Sequence, residues 1–184
     1  MIFMNAGDRF YSDTALSDFE SAIMNNPGYD AYYGDTLMCY HEGKGVWKEG
    51  EGSAINPIMP FIHQSVIVRT ELLKQYPFDC SFRIVADLKF FKTLREQSCK
   101  FFHIDKIISV YDAKEGISDS ESNYYKQIIE IDRVHNIDKS KFYFLRRIVL
   151  KCKGLVRRMI KTLVPKSILY PYMRKKKTHI EWID

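Results

Sequence analysis

The chain begins with Met1-Ile-Phe-Met-Asn-Ala-Gly-Asp8, the stretch that does most to narrow its fold. Three apolar residues run directly into a turn-forming segment with a carboxylate, and this pattern predicts a short buried strand over residues 2–4. Ligands bind beyond the carboxyl ends of strands in open α/β sheets, so Asp8 is a candidate for ligand or metal chemistry. The alternative is an ordinary turn, since Asn, Gly and Asp are common turn residues. From residues 5–8 alone, the turn is the better interpretation.

Charge divides the 184-residue chain into two parts. Its net charge is +5, but residues 1–138 carry 14 basic and 21 acidic side chains, whereas residues 139–177 carry 14 basic and no acidic ones. A hydrophobic content of 46% is sufficient for a packed core. Length and charge together predict one folded domain over residues 1–138 and a cationic tail over residues 139–184.

The cysteines and the apolar runs indicate a cytoplasmic chain. The four cysteines contain no CxxC pair, which argues against a zinc site or a disulfide framework and favours a reducing compartment. No stretch has the roughly 18 consecutive apolar residues of a membrane span, and the N-terminus does not resemble a signal peptide.

Predicted strands and helices alternate along the body, which places it in the α/β class. Residues 118–121 form a Ser-x-x-Glu capping box that predicts the start of the last helix of the body. Residues 49–60 hold two glycines and two prolines and are expected to form a loop. Strands are expected over residues 31–40, 46–48, 66–68, 101–104 and 107–111, and helices over residues 13–25, 70–76, 86–97 and 118–135.

The tail is predicted to form a basic amphipathic helix over residues 140–164. Its apolar residues recur with helical spacing while lysines and arginines fill the other faces. Three interpretations follow: a helix on an anionic membrane surface, a helix packed on its own domain, or a nucleic-acid-binding segment. The membrane surface is favoured. Nucleic acid comes last, because the body has no recognised binding motif and the apolar face would be unused.

Two further positions in the body are candidates for chemistry. Asp87 lies at a predicted helix start, where a carboxylate can serve as a general base but more often stabilises the helix end. His63 and Gln64 follow a proline-rich stretch, and His63 could contact a phosphate or a sugar hydroxyl. A lone loop histidine is more often a structural hydrogen-bonding residue. Each signal is weak by itself.

The order of these motifs carries more information than any one of them. Taken together, they resemble the second half of a family-2 glycosyltransferase of the GT-A fold, as found in bacterial enzymes that build cell-surface polysaccharides. The resemblance covers about residues 1–135. It rests on Phe3 to Tyr11, Tyr33-Gly-Asp35, His63-Gln-Ser65, Arg69 to Leu73, Phe78-Asp79, Ala86-Asp87 before Phe90-Phe91, Asp105 to Tyr111 and Gly116-Ile-Ser118.

The resemblance implies a role for each candidate residue. Asp8 would hold Mg²⁺ or Mn²⁺ against the diphosphate of a nucleotide-sugar donor, and Asn5 could assist it without supplying a charge. Asp87 would deprotonate the acceptor hydroxyl for a single displacement with inversion. The residues that would line the acceptor and diphosphate side are His63, Gln64, Gly116 and Ser118.

The resemblance also implies a partial GT-A domain, since the nucleotide-binding first half of the family has no counterpart here and the chain is expected to begin inside the domain. The function expected is that of a truncated, metal-dependent, inverting glycosyltransferase. It would act on a glycan or lipid-linked acceptor at the inner face of the cell membrane, bound there through residues 139–177. The alternative is a non-catalytic membrane-associated remnant, or a subunit that needs a separate N-terminal half.

Overall fold

The computed structural model describes residues 1–48, 59, 61–114 and 123–183, which form a mixed α/β fold. In those residues a mostly antiparallel sheet of six strands packs against helices. The strands are β1 (Arg9–Phe10), β2 (Ala31–Tyr40), β3 (Gly43–Trp47), β4 (Val66–Val68), β5 (Phe101–Asp112) and β6 (Ile180–Ile183). The helices are α1 (Ala15–Asn25), α2 (Thr70–Gln75), α3 (Ala86–Glu96), α4 (Tyr124–Val134), α5 (Tyr143–Leu163) and α6 (Lys166–Lys176).

The centre of the sheet is the pair of long strands β2 and β5. These two run parallel, and their register shifts on either side of Asp35. The strand order is β1-β5-β2-β3-β6, and β4 pairs with the first residues of β2. Gly34 is needed at the irregular point, because a Cβ there would lie 2.7 Å from the Lys106 carbonyl oxygen. The parallel pair brings the distant halves of the body together.

Alternate residues of β2 pack on opposite faces of the sheet, as the two-residue period of a strand requires. Tyr32 packs with Phe19 of α1 and with Ile108. Tyr33 lies on the other face, where Phe61 and Phe91 form an aromatic cluster with α3. The two faces therefore hold separate cores, and the cluster on the α3 side lies beneath the candidate site described below.

The predicted strand over residues 2–4 is wrong. The first strand is β1, which follows Asp8 rather than preceding it. Residues 2–4 are half-buried by packing and not by pairing in the sheet, with the ring of Phe3 5.2 Å from that of Phe78. The Asp8 amide donates to the Asn5 carbonyl oxygen at 3.1 Å, and Gly7 has a φ of +94°. Residues 5–8 therefore form a turn, with Asp8 at its last position.

Most other predicted elements are confirmed within a residue or two. The strand over residues 31–40 and the helix over residues 86–97 appear as β2 and α3. The strands expected over residues 101–104 and 107–111 are one continuous strand, β5. The capping box over residues 118–121 and the predicted loop over residues 49–60, apart from Met59, fall outside the described residues.

The tail contains the predicted amphipathic helix and two elements that were not predicted, α6 and β6. The helix is α5, followed by α6. The chain then returns to the sheet, where β6 pairs antiparallel with β3 and places Trp182 against Tyr40. Within the described residues, no helix combines the length and apolar character needed to cross a membrane.

Candidate active site

A cleft of about 1030 Å³ gathers every described residue that the sequence singled out for chemistry. Its lining comes from the N-terminal turn, the segment before β4, the first turn of α3 and the end of β5. The other two predicted site residues, Gly116 and Ser118, lie outside the described residues. The predicted residues that line the cleft are Asn5, Asp8, His63, Gln64 and Asp87.

Asp87, His63 and Asn5 form a continuous chain of contacts across the cleft. The Asp87 carboxylate oxygen Oδ2 lies 2.9 Å from Nδ1 of His63. The other ring nitrogen, Nε2, lies 3.1 Å from the side-chain amide nitrogen of Asn5. Because an amide nitrogen only donates, His63 Nε2 acts as the acceptor and the ring proton lies on Nδ1. His63 Nδ1 therefore donates to Asp87 and orients its carboxylate.

Asp8 and Gln64 form a second contact in the same cleft. Gln64 donates from Nε2 to Asp8 Oδ2 at 2.6 Å, and the backbone amide of Asn5 donates to the same oxygen at 3.3 Å. Gln64 is completely buried, and its Oε1 has no hydrogen-bond partner among the described residues. A buried acceptor without a partner is costly, so this amide holds Asp8 in place at the expense of stability.

A group of buried hydroxyls fixes the segment that carries His63 and Gln64. Ser65 is completely buried, and its Oγ lies 2.7 Å from the hydroxyls of both Thr36 and Ser109, on β2 and β5. The Ser65 hydroxyl also lies 3.0 Å from the Asp35 carbonyl oxygen, to which it donates. The turn over residues 63–65 is thereby anchored between the two central strands. The partners of Ser65 come from distant positions, so spacing along the sequence did not identify them.

Glu130 supports the other side of the cleft and was also missed by the sequence analysis. Its carboxylate accepts backbone hydrogen bonds from the three residues before α3, with Ile84 the shortest at 2.8 Å. These amides point along the start of α3, where a negative charge is favoured. Glu130 therefore fixes the helix start that carries Asp87.

The surroundings of Asp8 fit a divalent cation whose other ligands come from a substrate. Among the described residues, Asp8 Oδ1 accepts only a long hydrogen bond, 3.4 Å, from the Asp112 backbone, and both residues line the cleft. The unpartnered Gln64 Oε1 is a further oxygen nearby. No group of three or more histidine, cysteine or acidic side chains that could hold a metal occurs among the described residues. Mg²⁺ commonly takes one or two carboxylates and leaves its remaining positions to phosphates and water.

Comparison with known proteins adds no assignment. None of the models of known protein families matches the chain. No curated protein matches it either.

Proposed function

We propose that the chain is a nucleotide-sugar glycosyltransferase that transfers a sugar, with inversion, to an acceptor hydroxyl. One observation carries the proposal: a single cleft joins Asp8 to the Asp87–His63 pair. This reaction needs a site for a donor diphosphate and, across the sugar from it, a base for the acceptor. The proposal includes a partial GT-A fold. It also includes transfer to glycan or lipid-linked acceptors at the inner face of the cell membrane.

Asp87 is suited to the role of general base. Its two carboxylate oxygens accept from His63 Nδ1 at 2.9 Å and from the Leu88 amide at 2.8 Å, so the carboxylate is held from both sides. Each oxygen retains a lone pair for an incoming hydroxyl. Asp87 would take the hydroxyl proton as the acceptor oxygen bonds to the anomeric carbon, while the bond to the donor diphosphate breaks and its electron pair leaves with the diphosphate.

Asp8 is suited to hold Mg²⁺ or Mn²⁺ at the donor diphosphate, with Asp112 beside it. Such an ion, when bound, offsets the negative charge that develops on the leaving diphosphate. The charged side chains that line the cleft favour this arrangement, because they include three carboxylates and one guanidinium, that of Arg83. Without a cation, a diphosphate would be repelled by the Asp8 and Asp112 carboxylates.

The apolar part of the cleft is suited to a sugar. Trp47, Tyr40 and Tyr111 line it on the side of the sheet, and Phe78 lines it on the side of α3. Aromatic walls with a few convergent polar groups are typical of small-ligand sites. A pyranose presents C–H groups on its ring faces and hydroxyls on its edge, so it matches this lining.

The proposal is tested with the full chain, a panel of uridine and guanosine diphosphate sugars and Mn²⁺. Release of the nucleoside diphosphate measures turnover, and calorimetry measures nucleotide binding. We expect Asp87→Asn to leave nucleotide binding unchanged and to lower turnover by about a hundredfold or more, the usual size of a general-base effect. Asp8→Asn should instead abolish the Mn²⁺-dependent part of nucleotide binding.

Asp13→Asn serves as the matched control, because Asp13 is an exposed carboxylate before α1 and does not line the cleft. It should change neither binding nor turnover. Full turnover in Asp87→Asn would refute the base assignment. A chain that neither binds nucleotide nor releases it would refute the transferase proposal and favour a non-catalytic, membrane-associated subunit.

A further inference from the structure

Helix α5 carries a wide apolar surface that faces solvent. We call this surface the outer face of α5. Its residues recur at helical spacing over the whole length of the helix, and each is between 45% and 72% exposed. The outer face consists of Leu145, Ile148, Val149, Leu155, Val156, Met159, Ile160 and Leu163.

The opposite, polar face of α5 is the one that packs on the domain. Arg146 forms a bidentate ion pair with the completely buried Asp132 of α4, with N–O distances of 2.7 and 2.6 Å. Arg147 donates to the hydroxyl of Tyr125 at 3.1 Å, and the Arg157 guanidinium lies 4.7 Å from the centre of the Tyr124 ring. A helix of a globular domain normally buries its apolar stripe. Here specific polar contacts hold the apolar stripe outward.

The fixed orientation distinguishes α5 from a helix that is merely loosely attached. A bidentate Arg–carboxylate pair defines both position and rotation of the helix, because its two bonds must remain parallel. Leu150, the buried apolar residue of α5, lies on the same side as Arg146 and is 6% exposed. Rotating the helix to bury its outer face would remove Leu150 from the core and leave the Asp132 charge buried without this partner.

Charge identifies what covers the outer face. Exposed cations border it, among them Lys151, Lys153 and Arg158, and residues 139–177 contain no acidic side chain. Helix α6 continues the pattern, with exposed Ile168 and with Lys176 5.0 Å from the ring of Tyr172. A second copy would bring two cationic borders together, whereas an anionic lipid surface neutralises them and accepts the apolar residues.

We propose that the outer face of α5 docks on an anionic lipid bilayer, with the helix lying parallel to the surface. The apolar side chains enter the region between headgroups and acyl chains, and the bordering lysines and arginines contact the lipid phosphates. The domain then lies against the bilayer surface, attached through α4. The proposal rests on the orientation of α5 and is independent of the transferase reaction.

The test is flotation of the full chain with phosphatidylcholine vesicles, with and without phosphatidylglycerol. We expect binding only when phosphatidylglycerol is present, and weaker binding at about 1 M salt because the cationic contribution is screened. The double variant Leu155→Glu, Met159→Glu should lower the bound fraction by about tenfold or more, because two apolar side chains no longer enter the lipid. Both positions are more than half exposed, so the fold should be retained, and circular dichroism checks this.

The matched control is Leu16→Glu, Met24→Glu, which makes the same chemical change at exposed positions of α1. It should bind vesicles like the unchanged chain. Equal loss in both double variants, or equal binding to vesicles without phosphatidylglycerol, would overturn the proposal. So would a dimer in sedimentation that only Leu155→Glu, Met159→Glu dissociates, or binding to single-stranded DNA in place of vesicles.

Discussion

His179 lies where the tail returns to the sheet, with its ring centre 4.4 Å from that of Trp47. Burial, and to a smaller degree the nearby Lys177 cation, lowers the pKa of His179 below its usual value. The unfolded chain therefore binds the proton more readily than the folded chain. The contribution of His179 to stability is fully present above the pKa of the unfolded chain, about 6.5, and is lost as the pH falls below that value.

We accordingly expect the free energy of unfolding to decrease from about pH 7.5 to about pH 5, and His179→Asn to reduce this decrease. Urea unfolding followed by tryptophan fluorescence measures both. His135→Asn is the control, since His135 is an exposed histidine at the end of α4. His135→Asn should leave the pH dependence of the unfolding free energy unchanged. An identical pH dependence in His179→Asn and the unchanged chain would contradict the assignment to His179.

The candidate site was predictable as a set of residues but not as a set of contacts. Asp8 and Asp87 were selected through the order of the motifs around them, because each carboxylate by itself gives only a weak signal. The contacts of His63 with Asn5 and Asp87 could not be predicted, because 58 positions separate His63 from Asn5 and only the folded sheet brings them together. Glu130 has no distinctive neighbours in the sequence, and its role appears only when α4 lies beside the start of α3.

Strand β6 depends on the small size of Gly45 in β3. A Cβ at Gly45 would overlap the Ile180 side chain and lie 2.9 Å from the Glu181 carbonyl oxygen. Gly45→Ala should therefore separate β6 from β3 and lower the free energy of unfolding by about 1–3 kcal/mol, the usual cost of overpacking. Hydrogen exchange at the amides of residues 180–183 would report the separation directly.

Gly154→Ala is the matched control for this change. A Cβ at Gly154 would make an ordinary contact with the Tyr124 ring at 3.8 Å, and the position is inside α5. Alanine is favoured over glycine inside a helix by about 1 kcal/mol, so this variant should be slightly more stable. Normal protection of residues 180–183 in Gly45→Ala would show that β3 tolerates the added methyl group.

Periodicity predicted the long elements of the fold and missed some of the short ones. Helix α3 has Leu88, Phe91 and Leu94 on one face, and all three are buried as expected. Strand β6 is four residues long and follows a cationic run, so it shows no repeat of its own and exists through pairing with β3. The apolar run before Asn5 was wrongly predicted to be a strand. Its side chains are covered by packing, and the run does not pair in the sheet.

Helix α4 connects the cleft to the surface that we propose meets the membrane. Glu130 binds the backbone before α3, and Asp132, two residues later, binds Arg146 of α5. The hydrogen bonds that Arg146 donates to Asp132 raise the pKa of its guanidinium above its usual value, so the guanidinium keeps its charge. The two contacts lie on one short helix, and a displacement of α4 moves both.

This arrangement predicts that the two contacts are energetically coupled. Glu130→Gln removes the charge that binds the amides before α3, and Arg146→Lys removes the bidentate contact with buried Asp132. Each should lower the free energy of unfolding by about 1–3 kcal/mol. The double variant should lose less than the sum by about 0.5 kcal/mol or more, because the first change already lets α4 move. Urea unfolding of the four chains measures the difference.

The control cycle pairs Glu130→Gln with Arg69→Lys. Arg69 contacts Asp30 at 3.2 Å near the start of β2, and α4 has no part in that contact. The two losses should therefore add, as they do for independent sites. Additive losses in the Glu130–Arg146 cycle as well would mean that α4 holds the cleft and α5 separately. Membrane docking would then leave the position of Asp87 unaffected, whereas coupled losses make the cleft responsive to what α5 binds.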